Sequence, residues 1–279
     1  MKSALSIYTA ACLLSVSYAN AQFIIYEGFE TPGDYADGVT ITSQTGGGSG
    51  DWGGSNWSIE NPGIGYQSVT TSLTYSDGSN NLTTSDGSLS KVAGSNTISY
   101  RNFDNTAFNN TFGSGGEIWF SALFHAESTT DIVYRISRDS AFNGPGFNVE
   151  NGQLSARFNN TISSSSISVD NGETYFVVGR VTPDTTNTLD LWLNPSLGSA
   201  PIGAGDLTVD QGYDLTLLAR TIVQSRNNDS AMLDELRLGS TFASVTPNTA
   251  IPEPSTYVLL FACAIGAVAI CRRGRNNVS

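Results

Sequence analysis

The chain has 279 residues, with 25 acidic and 13 basic side chains and a formal net charge of −12. Such an acidic surface repels nucleic acid, so we predict no DNA or RNA partner. All three cysteines, Cys12, Cys263 and Cys271, lie close to the chain ends. The long stretch between them therefore has no disulfide, no thiolate metal site and no cysteine nucleophile.

The first residues have the pattern of a secretory signal peptide. Lys2 precedes an uncharged, mostly apolar run over residues 4–18, and Ala19 and Ala21 supply the small residues that signal peptidase recognises. We expect cleavage after Ala21, which removes residues 1–21 and leaves Gln22 as the first mature residue. An uncleaved N-terminal anchor is the alternative.

The sequence that follows is typical of an all-β domain. Short runs of β-branched and aromatic residues alternate with turn pairs such as Asp77-Gly78, and long helical patterns are absent. We predict one antiparallel β-sandwich over residues 22–245, then a linker over 246–251. The predicted strands are 23–29, 117–124, 174–182, 188–194, 215–222 and 232–238, with a hairpin loop at 183–187.

The glycine-rich segment 46–65 predicts a long loop or two short strands. Trp52, Trp57 and the nearby Tyr66 stand among glycines instead of in a periodic apolar run. An exposed aromatic ring can stack on a sugar, so these three residues are candidate carbohydrate contacts. Packing inside the protein is the alternative, and it is the commoner role of tryptophan.

The last predicted strand contains a candidate metal ligand. Counting by two places Asp234 on one face with Met232, Leu236 and Leu238. A carboxylate on an apolar face needs a cation or several hydrogen-bond donors. Calcium is one solution, because it prefers oxygen ligands. A role in capping a strand end, or pairing with an arginine, is the alternative.

The sequence favours a non-catalytic protein. No two carboxylates recur at i and i+2, the spacing that would put an acid and a nucleophile on one strand face, and Asp234-Glu235 point to opposite faces. His125 is the only histidine, and there is no GxSxG motif to provide a serine nucleophile. A catalytic pair from different strands stays open, so a glycan-active hydrolase is the alternative.

The C-terminus has three parts in a fixed order. Pro252, Glu253 and Pro254 precede an uncharged apolar stretch over 256–271, and Arg272, Arg273 and Arg275 follow it. As a helix this stretch rises about 24 Å, less than the roughly 30 Å of a bilayer core. Arginines stay on the cytoplasmic side, so the domain should lie outside. An ordinary tail anchor is one interpretation.

The same three parts closely resemble the PEP-CTERM sorting tail, over residues 251–279. The resemblance implies that an exosortase, a membrane-embedded cysteine protease, recognises the Pro252-Glu253-Pro254 motif and processes the tail. It also implies that the three arginines hold the helix in register. The expected location is transiently the inner membrane, and then the cell surface or extracellular matrix of a bacterium.

A second resemblance covers most of residues 22–245. YEGFE at 26–30, the tryptophan-bearing glycine loop, IWFSALF, the VVGRV and LDLWLNP pair, and LDELRLG are similar to LamG-like, concanavalin-type jelly rolls. This implies two packed antiparallel sheets, and a structural calcium ion shared by Glu30 and Asp234. The expected role is non-catalytic binding of extracellular polysaccharide or surface proteins. A glycan-active hydrolase and a purely structural coat protein are the alternatives.

Overall fold

The computed structural model describes residues 24–54, 56–60, 65–91, 97–126, 131–138, 143–225 and 231–250. The predicted signal peptide, sorting motif, apolar helix and basic cluster all lie outside these ranges. Within them, no helix is both long enough and apolar enough to cross a membrane.

The described residues form an all-β protein with two short α-helices. The strands are β1 (Ile24–Glu27), β2 (Ser49–Gly50), β3 (Ser58–Ile59), β4 (Tyr66–Val69), β5 (Asn80–Leu82), β6 (Ser88–Lys91), β7 (Thr97–Asn102), β8 (Ile118–Ala126), β9 (Ile132–Ser137), β10 (Pro145–Glu150), β11 (Gln153–Phe158), β12 (Thr161–Ile162), β13 (Ile167–Ser168), β14 (Thr174–Thr182), β15 (Asn187–Leu193), β16 (Leu207–Gln211), β17 (Arg220–Ser225), β18 (Ala231–Gly239) and β19 (Asn248–Ala250). The helices are α1 (Asn105–Phe112) and α2 (Phe242–Val245), and 3-10 turns cover Ile41–Ser43 and Leu215–Leu217.

The strands form two large antiparallel sheets. The nine-stranded sheet has the order β16-β15-β14-β8-β18-β1-β2, with β6 on β18 and β4 on β6. The eight-stranded sheet has the order β12-β11-β10-β9-β17-β7-β3, with β13 on β11. A third sheet joins β19 to β5. Strands next to each other in both large sheets are often distant in sequence, as β8 and β18 are.

The two large sheets pack face to face and enclose the main core. Phe120 of β8 lies over Tyr134 of β9 with ring centroids 5.8 Å apart, and Phe124 lies over Phe147 of β10 at 6.0 Å. All four side chains are fully buried. Because alternate residues of a strand point to opposite faces, these contacts fix which face of each sheet is internal. The predicted antiparallel β-sandwich is confirmed.

A second hydrophobic cluster covers the other face of the nine-stranded sheet. It joins Trp119 and Trp192, whose rings stack at 5.9 Å, to Leu73 and to Phe242 of α2. This layer explains why β8 is apolar on both faces: one face meets the opposite sheet and the other is covered by α2 and a loop.

The strand predictions are confirmed most closely at β14, which matches 174–182 residue for residue. The hairpin loop is shorter than predicted, because Asn187 already belongs to β15 and pairs with Gln211. The strand predicted at 215–222 is wrong in its first half. Asp214 accepts a hydrogen bond from the Thr216 amide and caps a 3-10 turn, so β17 begins only at Arg220.

The linker predicted at 246–251 belongs in part to the fold, which corrects the domain boundary. Asn248–Ala250 forms β19 and pairs with β5. The Asn248 side chain also donates a 2.8 Å hydrogen bond to the carbonyl of Leu197. The described domain therefore extends through Ala250, past the boundary predicted at residue 245.

Candidate functional site

Two of the three aromatic candidates do not reach the surface. Trp57 and Tyr66 are each 1% exposed, so their assignment as carbohydrate contacts is wrong. The Trp57 ring lies 5.8 Å from that of Phe29, and its N–H donates to the Glu27 carboxylate at 3.3 Å. The alternative of internal packing holds for both residues.

Trp52 is partly buried and already has partners on the ring and on the N–H. The Arg101 guanidinium lies 4.3 Å from the ring centroid, and the indole N–H donates to the Tyr26 carbonyl at 3.3 Å. One face of the indole is therefore covered by a cation, which leaves less of it to stack on a sugar.

Arg101 and Glu27 form an ion pair inside the sandwich, at 2.6 Å between Nη1 and Oε2, with 4% and 0% of the side chains exposed. Glu27 also accepts from the hydroxyl of Tyr35 at 2.9 Å and from the Phe29 amide at 3.2 Å. Burial raises the pKa of Glu27, and the charge of Arg101 acts against that rise. The fully paired and enclosed arrangement indicates a structural role.

The last strand does not follow the two-residue count that the sequence analysis assumed. Glu235 has φ 55°, and the register of β18 against β8 shifts between Asp234 and Arg237. This β-bulge adds one residue, so Leu233 and Leu236 both reach the main core. Asp234 lies on the opposite face, and its predicted grouping with Leu236 is wrong.

Asp234 is fully buried and is satisfied by backbone donors. Its two oxygens accept from the amides of Leu73 at 3.1 Å and Glu235 at 2.7 Å. Burial raises its pKa, and so does the charge of Glu235. Glu235 is itself held by Arg237, by the Ser85 amide at 2.7 Å and by the Tyr26 hydroxyl at 3.1 Å.

These contacts do not favour the predicted calcium pair. Glu30 is exposed in the turn after β1, whereas Asp234 is 0% exposed and directs both oxygens at N–H donors. In the ranges that the structure describes, no three acidic, histidine or cysteine side chains cluster as metal ligands. Hydrogen-bond donors meet the need of Asp234, and calcium binding stays a prediction.

The outer face of the eight-stranded sheet carries an unusual set of polar side chains. Residues that alternate with the core positions of β9 and β10 point away from the core, and they include Arg135 and Asn148. The register aligns Arg157 of β11, Gly146 of β10, Arg135, Ile222 of β17 and Tyr100 of β7 in one row across the sheet. We call this row, with Asn148, the arginine face.

The centre of the arginine face is held by Arg135, which lies across the glycine of the neighbouring strand. Its guanidinium donates to the Asn148 side chain at 2.9 Å and to the carbonyl of Gly144 at 3.3 Å. A Cβ at Gly146 would stand 2.8 Å from Cδ of Arg135, so glycine leaves room for this path. Arg135 is 1% exposed, whereas Arg157 and Tyr100 are partly exposed.

An open cleft of about 520 Å³ lies at the β7 and β17 side of this face. The residues that line it, which we call the Arg220 cleft, are Gly53, Asn102, Phe103, Asp104, Asn105, Ala219 and Arg220. Backbone hydrogen bonds hold its wall together: the Gly53 amide donates to the Asn102 carbonyl at 3.1 Å, and the Asp104 amide donates to the Asp51 carbonyl at 2.8 Å.

The charged groups of the cleft differ in how they are held. Asp104 caps α1, and its Oδ1 accepts from the amides of Thr106 at 2.8 Å and Ala107 at 3.1 Å. Arg220 lies with its guanidinium 4.3 Å from the ring centroid of Tyr100, its Nε is buried, and no hydrogen bond or ion pair joins the side chain to another described residue. The cleft therefore contains amides, a capped carboxylate and a cation available for further bonds.

Sequence reasoning missed the Arg220 cleft because three separate segments build it. Gly53 comes from the glycine-rich loop, residues 102–105 end β7 and begin α1, and residues 219–220 begin β17. The glycine-rich segment contains two short strands, β2 and β3, which is one of the two predicted alternatives. The sequence pattern singles out Trp52 and Trp57, whereas Gly53, beside Trp52, is the residue of this segment that lines the cleft.

No protein-family model matches this chain, and no curated protein matches its sequence. Solved structures do share its outline. An endo-β-1,4-glucuronan lyase from the fungus Trichoderma reesei is 14% identical, with TM-score 0.42, and covers 80% of this chain and 97% of its own. A protein of unknown function from Shewanella oneidensis is 11% identical, with TM-score 0.44, covering 81% of this chain and 90% of its own. At these values the similarity indicates nothing about ligand or activity.

Proposed function

We propose that this chain is an exported bacterial surface or matrix protein that binds extracellular polysaccharide and does not cleave it, on a sandwich of the jelly-roll type. The observation that carries the proposal is the Arg220 cleft, an open and polar cavity at one side of the arginine face. Its size falls within the range of ligand sites in proteins.

The chemistry of the cleft suits sugar hydroxyl groups, which both donate and accept hydrogen bonds. The amide side chains of Asn102 and Asn105 can do the same, Asp104 can accept, and Arg220 can donate. No aromatic platform is needed for this mode of binding. Phe103 is 3% exposed and stacks on Phe108 at 4.9 Å, so its ring packs inside the protein beneath the cleft and does not present a face to a sugar.

Export and sorting rest on the two ends of the chain, which lie outside the described residues. The signal pattern before Gln22 and the PEP-CTERM-like tail after Ile251 support delivery by signal peptidase and an exosortase. Mass spectrometry of the termini of protein recovered outside the cell tests this proposal. Released protein that begins at Gln22 and lacks Arg273 is expected; an intact Arg273 would contradict processing.

Retention of the full-length protein on immobilised polysaccharides tests the binding proposal. We expect saturable retention on at least one polymer and reduced retention for Asn102→Ala. The matched control is Asn81→Ala on β5, an exposed asparagine away from the cleft. No retention on any polymer from a folded sample would favour the structural coat protein. Release of new reducing ends from a retained polymer would favour the hydrolase.

A further inference from the structure

The arginines of this acidic chain differ in the partners that they have. Arg101 pairs with Glu27 at 2.6 Å, Arg180 pairs with Asp190 at 2.7 Å, and Arg237 pairs with Glu235. Arg220 has no carboxylate partner among the described residues, although acidic residues outnumber basic ones by about two to one in the chain. A carboxylate on a ligand could supply the partner that Arg220 does not have among the described residues.

The position of Arg220 presents it to the cleft. The residue is partly exposed, and the ring of Tyr100 lies 4.3 Å from the guanidinium carbon. The contact places the cation over the ring, and no hydrogen bond or ion pair joins the guanidinium to another described residue. A guanidinium whose terminal N–H groups have no other acceptor can bind a carboxylate through two parallel hydrogen bonds.

The one carboxylate among the residues that line the cleft does not neutralise Arg220. The Asp104 carboxylate accepts hydrogen bonds from two backbone amides at the start of α1, at 2.8 and 3.1 Å. It forms no ion pair with Arg220 within 4.0 Å. An incoming anion would therefore meet a cation that no carboxylate in the described part of the chain neutralises.

We propose that the Arg220 cleft selects acidic polysaccharide by binding the carboxylate of a uronic acid unit. The inference rests on the proposed polysaccharide-binding function and adds the class of ligand. Arg220 binds the carboxylate, and the amides of Asn102 and Asn105 bind neighbouring hydroxyl groups.

A pair of polymers with one backbone tests this selectivity. Polygalacturonate carries a carboxylate on each unit, and its methyl ester removes that charge while it keeps the chain. Retention of the full-length protein should be about tenfold stronger on the acid, because a charge-assisted, bidentate contact is worth about a factor of ten or more. Arg220→Gln should lose that preference, and Arg220→Lys should restore part of it.

Arg138→Gln is the matched control, since it removes the same charge from an exposed position just after β9. Its retention should equal that of the unmodified protein. Equal retention on the two polymers, or full retention by Arg220→Gln, would overturn the uronic acid assignment and leave polysaccharide binding in place. Failure to bind either polymer or any member of a neutral panel would overturn the proposed function itself. Salt is a poorer readout, because it also screens the repulsion between an acidic chain and an acidic polymer.

Discussion

Replacing Arg101 by methionine would leave a carboxylate stranded inside the sandwich. The guanidinium now donates to Glu27 at 2.6 Å, to the carbonyl of Gly47 at 2.5 Å and to that of Gly54 at 3.3 Å, and it covers the Trp52 ring. Methionine has a similar stem and no charge. Glu27 would keep three neutral donors, namely the Tyr35 hydroxyl, the indole N–H and a backbone amide.

We expect this substitution to lower the free energy of unfolding by about 3 kcal/mol, because breaking a fully buried ion pair typically costs 3–5 kcal/mol and three donors remain. For a domain of this size that corresponds to a fall of roughly 10 °C in the melting temperature. Burial already raises the pKa of Glu27, and without Arg101 it rises further. The folded Arg101→Met protein would therefore hold the Glu27 proton to a higher pH than the unmodified protein does, so the difference in stability between the two should grow once the pH rises above the raised pKa of Glu27 in the unmodified protein.

Denaturant unfolding at about pH 5 and about pH 8 measures both effects. Glu150→Gln, which removes an exposed carboxylate at the end of β10, is the control and should stay within about 0.5 kcal/mol. Combining Glu27→Gln with Arg101→Met should cost at least 0.5 kcal/mol less than the two single changes together. An Arg101→Met protein as stable as the control, or single costs that simply add, would refute the reasoning.

Three further outcomes are expected. Burial and the charge of Glu235 raise the pKa of Asp234, so the folded protein gains stability from that proton at low pH and loses it as the pH rises. Asp234→Asn should therefore make the free energy of unfolding fall less between about pH 5 and about pH 8. Unfolding curves of both proteins at the two pH values measure this difference. Gly179→Ala should cost about 1–3 kcal/mol, since its Cβ would stand 2.1 Å from the Phe120 ring, whereas Gly212→Ala, with nothing within 4 Å, should be near neutral in the same assay. Chelation should lower the melting temperature if calcium is structural, and an unchanged value would contradict that prediction.

The hairpin of β14 and β15 could be read from sequence because both strands show strong apolar patterns and a turn-rich loop separates them. The many short strand-like runs separated by turn residues also predict a sandwich of two sheets. The final strand could not be read in the same way, since one bulged residue at Glu235 reverses every face assignment before it. Nothing in the local composition marks that residue as the insertion.

The candidate site was less accessible to sequence reasoning than the fold. Glycine-rich surroundings predict an exposed Trp57, yet its indole packs beside Phe29 and Trp52 and is 1% exposed. The sequence does not single out Arg220, because the aromatic ring that its guanidinium contacts is Tyr100, in a strand more than a hundred residues earlier. Charge pairing across strands depends on register, which single-strand patterns do not specify.

The pairing of β19 with β5 determines how the domain would respond to mechanical load. If the tail beyond Ala250 holds the protein at a membrane or a surface, tension on that tail reaches a strand of three residues before it reaches either large sheet. Such a short ladder can peel away while β8 and β18, which pair along most of their length inside the nine-stranded sheet, stay intact. Unpairing of β19 would then lengthen the attachment by a few residues and leave the pairing of β8 with β18 in place.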